Sequence, residues 1–264
     1  MDEVELLRLS DLNYAESQRE FSRWQASPSI LETSDLLMTC GPSRAPMSNR
    51  VMRVGLDATP PAAEVIEMAK RFFGEHDRRF SIQTRMHVDE DLIEACEGLG
   101  LANIMNEPGM VLESPSPDIE FEDDVVISVV TDSRIASDFS AVVSGGFKTL
   151  GLKPDFMLRL LALPERWMQP HLYAVVAYLE GRPASSAMLL LSHGIAGIYL
   201  VSTVEWARGR GLAELCTRVV GNEGFRRGAR FLTLQASTMG EPIYRRMGYR
   251  EITRYPLYMY PRSK

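Results

Sequence analysis

The sequence predicts an α+β chain whose strands and helices are laid out twice, and three observations carry that reading. "LYAVVAYLEG", "SSAMLLLSHG" and "AGIYLVSTV" are strand-like runs separated only by "GRPA" and "HG". Connections so short favour an antiparallel meander. A helix follows from about Gly211 to Arg227, with Leu212, Leu215, Cys216, Val219 and Val220 recurring at helical spacing. Finally, the stretch from Arg230 repeats the stretch from Arg79: strand, short helix, glycine after an apolar residue, final strand. Gly100 lies eight residues before Pro108, and Gly248 eight before Pro256.

Taken in order, a helix is predicted over about Glu3–Trp24, strands at "DLLMTC" and "NRVMRVGLD", and a helix over about Ala62–Phe73. "LESPSPDIEFEDD", Leu112 to Asp124, combines two X-Pro pairs with an acidic cluster and reads as a linker. It divides an N-terminal domain, 1–112, from a C-terminal one, 125–264, with residues 113–124 between them. "VVISVV" then has strand length, and helices are expected over about Ser133–Phe147 and Pro154–Leu163. After the meander and the long helix come "RFLTLQA" as a strand, "EPIYRRMG" as a short helix, and "ITRYPLYMY" as one or two last strands.

With 264 residues, 45% hydrophobic and 24% charged, the chain has enough apolar material for a real core. No apolar run approaches the roughly 20 residues that span a bilayer. The acidic start "MDEVELLRLS" lacks the basic region of a signal peptide, so a cytoplasmic protein without membrane attachment is expected. Three scattered cysteines form no disulfide or zinc pattern, and four histidines show no ligand spacing, so no metal is expected. The net charge of −6 argues against nucleic acid as a partner.

"RGRGLAEL", Arg208 to Leu215, is the most informative stretch. A dinucleotide fingerprint would need a third glycine where Glu214 stands, and a Walker loop would need Gly-Lys-Ser/Thr. What remains is a glycine-rich corner opening a helix, whose backbone N–H groups lack intrahelical partners. Glycines permit close approach of an anion, and Arg208 and Arg210 add positive charge. Met157, Trp167, Met168 and Trp206 fit core packing better than an acceptor pocket.

This loop resembles the R/Q-x-x-G-x-G/A motif of the GCN5-related N-acetyltransferases, the GNAT superfamily. The similarity continues through "AGIYLVSTV" before it and "FLTLQA" after the helix, then Ser237, Gly240 and Tyr244 at the spacing of N-x-x-A-x-x-x-Y, and "RRMGY". Ser237 replaces Asn of that pattern and Gly240 replaces Ala. The resemblance implies the GNAT fold, a mixed and mostly antiparallel sheet flanked by helices, twice in tandem. It implies acetyl-CoA as co-substrate, with the backbone of Ser202, Thr203 and Val204 pairing with pantetheine. Arg208, Gly209, Arg210, Gly211, Leu212 and Ala213 would then hold the diphosphate, beside contacts from Ser237 and Gly240. Tyr244 would protonate the departing thiolate, and Glu205 is the nearest carboxylate to serve as base.

The activity so implied is acetyl transfer to a small-molecule or peptide amine by direct attack. A non-catalytic acyl-CoA sensor or partner-binding module on the same fold is the alternative, and a homodimer is left open. In the first half the corresponding corner is "DATPPAAEVIEMAK". Pro60 and Pro61 carry no N–H there, and Cys96 stands opposite Tyr244, so this half is expected to be a degenerate copy.

Overall fold

The computed structural model describes residues 1–43, 48–117, 121, 124–148 and 154–261. Its contacts form two compact units that are not sequential. The first comprises Met1–Met110, Gln235–Glu241 and Glu251–Lys264, and the second Val111–Leu234 and Pro242–Arg250. A boundary at the linker therefore does not describe the last residues of the chain, which group with the first half. The reason is strand pairing at long sequence separation, described next.

In the first unit, α1 (Glu3–Arg23) is followed by β1 (Ser29–Glu32), β2 (Leu36–Cys40), β3 (Arg50–Arg53), α2 (Ala62–Glu75), β4 (Phe80–Gln83), α3 (Glu90–Gly98) and β5 (Ala102–Leu112). The final strand, β11 (Arg250–Tyr260), completes the order β1-β2-β3-β4-β11-β5. β1–β2 and β2–β3 are antiparallel, whereas β3 and β4 run parallel across the α2 crossover. β11 lies antiparallel to β4, with Leu257 opposite Gln83 and Tyr260 opposite Phe80. "ITRYPLYMY" is thus a single strand.

One face of this sheet has an apolar layer. Val65, Ile66, Ala69 and Phe73 of α2 and Leu92 and Cys96 of α3 pack on Leu36, Met38, Val51, Phe80 and Ile82. Fully burying a side chain of the Val-to-Phe class stabilises by about 1.5–3 kcal/mol. Helix α1 is different. Asp2 caps it, accepting from Glu5 N at 2.8 Å, but its buried positions include Asp11, Asn13, Ser17 and Glu20. Asp11 accepts from the Tyr255 hydroxyl at 2.8 Å and from Arg85 Nη1 at 3.1 Å, and its Oδ2 lies 3.0 Å from His87 Nε2. The other ring nitrogen of His87 is 2.8 Å from Thr253 Oγ1. α1 is therefore held by a polar network around Asp11 together with the buried Leu6, Leu9 and Ala15.

The second unit begins with β6 (Val125–Val129) and α4 (Ser133–Phe147), capped by Asp132, which accepts from Ile135 N at 2.9 Å. The helix expected over Pro154–Leu163 is two, α5 (Pro154–Leu160) and α6 (Pro164–Trp167). Pro164 cannot continue the first and is well suited to start the second. β7 (Leu172–Leu179), β8 (Arg182–Ser192) and β9 (Ile195–Thr203) form the antiparallel meander, joined through β6 on one side. Then come α7 (Leu212–Arg226), β10 (Leu232–Gln235) and α8 (Glu241–Arg246). The strand order is β10-β9-β8-β7-β6, with β10 parallel to β9. Gly221 and Gly224 let α7 sit close to the sheet. A Cβ on Gly221 would lie 2.7 Å from Leu232 Cδ1, and one on Gly224 3.0 Å from Ala196 Cβ.

The repeat seen in the sequence has a structural counterpart. In each half a parallel strand pair spans a crossover helix, β3-α2-β4 and β9-α7-β10. A shorter helix, a glycine at positive φ (Gly100 at 67°, Gly248 at 94°) and an eleven-residue strand follow. α3 has nine residues and α8 six, a difference of three that matches the unequal strand-to-glycine distances. Thr84, just after β4, donates its N–H to Pro256 O at 2.9 Å. Ala236, just after β10, does the same to Pro108 O at 2.9 Å. Among the described residues no helix is long and apolar enough to cross a membrane.

Candidate active site

β9 and β10 pair only at Ala196↔Leu232 and Gly197↔Thr233. Beyond Gly197, β9 runs on to Thr203 with no β10 partner, so its edge opens. A β-bulge sharpens the departure. Ser186 faces Ser202 and Met188 faces Tyr199, so Leu200 and Val201 together oppose Ala187. Leu200 has φ of 51°, a left-handed conformation that costs a non-glycine residue strain and accompanies the bulge. Leucine gives no sequence signal for such a bulge.

Of the three residues expected to offer backbone to a pantetheine arm, one turns the right way. Val204 donates its N–H to Ala184 O at 3.0 Å, and Ser202 O accepts from Ser185 Oγ at 2.9 Å, so both face β8. Successive residues of a strand alternate, and Thr203 accordingly presents its peptide groups to the open side. Its carbonyl accepts from Arg208 Nε at 3.3 Å. Behind this edge, Ser202 Oγ donates to Val142 O at 3.1 Å. Gly146 of α4 lies so close that a Cβ would fall 3.2 Å from Thr203 N.

A 3-10 turn, Glu205–Ala207, leads from β9 into the glycine loop. Gly209 and Gly211 have φ of 77° and 72°, and Gly211 is the N-cap of α7 with no side-chain hydrogen bond. The first N–H groups of α7 thus face outward without a cap, in the field of the helix dipole. Glu214, which excluded a dinucleotide fingerprint, is paired with Arg218 at 2.7 Å. Glu205 is exposed at the mouth of the loop.

The segment expected to be a linker is docked along α7. Ser116 N donates to Asn222 Oδ1 at 3.1 Å, Asn222 Nδ2 returns a bond to Ser116 O at 3.0 Å, and Arg218 donates to Pro117 O at 3.2 Å. The Phe121 ring lies 3.7 Å from where a Cβ on Gly211 would stand, and Asp124 Oδ2 is 3.6 Å from Arg210 Nη2. Residues 118–120 and 122–123 of this acidic stretch lie outside the described residues.

Tyr244 sits in α8, buried, its ring 5.7 Å and edge-on from Tyr249. Ser237 and Gly240 group with the first unit, where Ser237 Oγ and O accept from Gly240 N at 3.2 and 2.9 Å. Their turn starts α8. The second unit therefore brings together Ser202–Ala213 and carries Tyr244, while Ser237 and Gly240 belong to the other set of contacts. All three cysteines are buried, and burial pushes the Cys216 and Cys96 thiols up to about 12. Neither is suited to a covalent intermediate at neutral pH.

The first half fills the equivalent corner with its own side chains. β3 and β4 pair through Met52↔Gln83, and then Arg53, fully buried, occupies the space beyond. It donates to Pro60 O at 2.6 Å, to Asp91 at 2.7 and 2.8 Å, and to Asp89 at 3.2 Å. Asp91 Oδ2 also accepts from Ala62 N, the first N–H of α2, at 3.0 Å. Its hydrogen bond from Arg53 holds the Asp91 carboxyl below the usual range. A protein carboxylate thus sits where the other half presents uncapped N–H groups. Among the described residues, no group of three potential ligands could hold a metal ion.

No protein-family model matches the chain, and no curated protein matches it in sequence. Solved structures do. A GCN5-related N-acetyltransferase from Kribbella flavida is 20% identical with a TM-score of 0.74, over 96% of both chains. A second, from Sphaerobacter thermophilus, is 15% identical with a TM-score of 0.63, covering 87% of this chain and 82% of that one. A tandem GNAT protein from the clavulanic acid biosynthesis pathway is 12% identical with a TM-score of 0.61, over 87% and 79%. The chain has the α+β fold of the GCN5-related N-acetyltransferases.

Proposed function

We propose that the chain is an acyl-CoA-dependent N-acyltransferase that moves an acetyl group from acetyl-CoA to an amine, with its site in the second unit. The observation that carries this reading is the open edge of β9 beyond Gly197, leading directly into an uncapped, arginine-bearing helix start. An extended amide-containing arm adds naturally to such an edge, and a diphosphate suits such a helix start.

In the reaction, the neutral amine nitrogen attacks the thioester carbonyl. The C–N bond forms, the C–S bond breaks, and the electron pair leaves with sulfur. The Tyr244 hydroxyl supplies the proton that converts thiolate to thiol, and the proton lost by nitrogen goes to Glu205 or through water to solvent. Buried thiols offer no covalent alternative, so transfer is direct.

Acetyl-CoA titrated calorimetrically is expected to bind with a stoichiometry near one per chain, because Arg53 and Asp91 fill the corner of the first half. A value near two would sink the assignment of a single site. A panel of amines assayed by thiol release tests catalysis itself, and tight cofactor binding without transfer to any amine would point to a sensor. Asp124→Asn removes a carboxylate 3.6 Å from Arg210. An exposed pair of this kind contributes about 0.2–1 kcal/mol, so acetyl-CoA should bind up to about fivefold tighter. Weaker binding would assign Asp124 a supporting role instead.

A further inference from the structure

Trp206 does not join the core, as its apolar character suggested; it is 46% exposed, whereas Trp24 and Trp167 are 1% exposed. It stands in the 3-10 turn two residues before Arg208. The guanidinium of Arg182 lies over its ring, 4.1 Å from the centroid. Arg182 opens β8 directly after a tight turn in which Glu180 and Gly181 have φ of 51° and 76°. That hairpin is fastened by Glu180 N donating to Asp124 O at 2.9 Å, so the ring and its cation are carried on short, bonded turns. Among the described residues Arg182 has no carboxylate partner; its charge is held against the indole face.

An exposed, pre-oriented indole with a cation beside it is poorly explained by packing. Taking the acyl-CoA reading of the neighbouring loop as given, we propose that Trp206 and Arg182 form the nucleoside end of that site. Trp206 is the platform on which the adenine ring stacks, and Arg182 is the contact for the ribose 3′-phosphate. Stacking needs only a flat π-face, which every purine has, and a guanidinium is matched to a phosphate by charge and by its fork of donors. Glu180 and Glu205, the acidic neighbours on the same two turns, are exposed to solvent. The pair thereby selects a full CoA thioester over a bare pantetheine thioester.

The test compares acetyl-CoA, 3′-dephospho-acetyl-CoA and acetyl-pantetheine, measured calorimetrically on the full chain and on Trp206→Ala and Arg182→Gln. Trp206→Ala is expected to weaken acetyl-CoA about tenfold while leaving acetyl-pantetheine unchanged. Arg182→Gln should abolish the preference for acetyl-CoA over its dephospho form. Because the other two tryptophans are buried, ligand quenching of the red-shifted fluorescence should vanish in Trp206→Ala. Unchanged acetyl-CoA affinity in Trp206→Ala overturns the subsite and leaves the acyl-CoA reading standing. Equal losses for acetyl-CoA and acetyl-pantetheine overturn it too, as does a rise in the KM of the amine alone, which would move Trp206 to the acceptor side. If the unaltered chain binds none of the three thioesters, the acyl-CoA reading itself fails and the subsite with it.

Discussion

Tyr244→Phe is expected to lower turnover by about 10²–10⁴-fold, the usual contribution of a positioned proton donor, while acetyl-CoA still binds. The substitution removes one hydroxyl and keeps the ring, so the edge-on contact with Tyr249 at 5.7 Å survives. A phenol remains protonated at neutral pH and can hand its proton to a departing thiolate, and phenylalanine cannot. Tyr249 provides a control on the same ring pair. Its hydroxyl is buried without a hydrogen-bond partner, and burial pushes its phenol well up. Removing a buried unsatisfied hydroxyl costs nothing in bonding, so Tyr249→Phe should retain turnover. The measurement is thiol release at saturating acetyl-CoA, paired with calorimetric binding. Parent-like turnover in Tyr244→Phe would remove this residue from the chemistry. A loss of rate accompanied by loss of acetyl-CoA binding would instead mean a packing role.

Local features were the ones legible in the sequence. Apolar spacing places α4 over the same residues as expected, and short turn-rich connections define the β7–β9 meander. Gly209 and Gly211 announced a corner because left-handed backbone favours glycine. Three things had no local signature. The bulge in β9 turns at Leu200, a residue that gives no hint of positive φ. The pairing of β11 with β4 joins residues more than 170 positions apart, as the bond from Gln83 Nε2 to Pro256 O shows, and no periodicity reports on it. The third is α1, whose buried face carries Asp11, Asn13 and Ser17. Hydropathy assigns those residues to solvent; Asp11 is buried because Arg85, just after β4, and Tyr255 on β11 donate to it, while Ser17 donates back to Tyr14 O within the helix. Of the candidate site, the glycine-rich corner before α7 was legible as a corner. The restriction of the outward backbone to Thr203, and the exposure of Trp206, depend on strand phase and on a neighbouring hairpin.

Asp89→Ala should destabilise the first unit by about 3–5 kcal/mol, the range for removing one partner of a buried ion pair. Asp89 is fully buried and joins two guanidiniums that are themselves almost wholly buried. It accepts from Arg53 Nη1 at 3.2 Å, from Arg85 Nε and N at 2.9 Å each, and from Arg85 Nη2 at 3.1 Å. Without it the two cations keep Asp91 and Asp11 as counter-charges, but several of their donors are left in a low-dielectric interior with no acceptor. The penalty therefore comes from what remains, more than from the bond that is lost. Asp89→Asn separates the two contributions, since it retains an acceptor oxygen and the shape while discarding the charge, and should fall between the parent and alanine. Asp91→Ala should cost less, because its side chain is 43% exposed and water can replace it. The check is thermal unfolding, where a loss of this size corresponds to a fall in Tm of about 6–20 °C for a unit of this class. A fall of less than about 2 °C for Asp89→Ala would mean that the corner of the first half is not held by its charges. Its own carboxylates would then be no barrier to a diphosphate there.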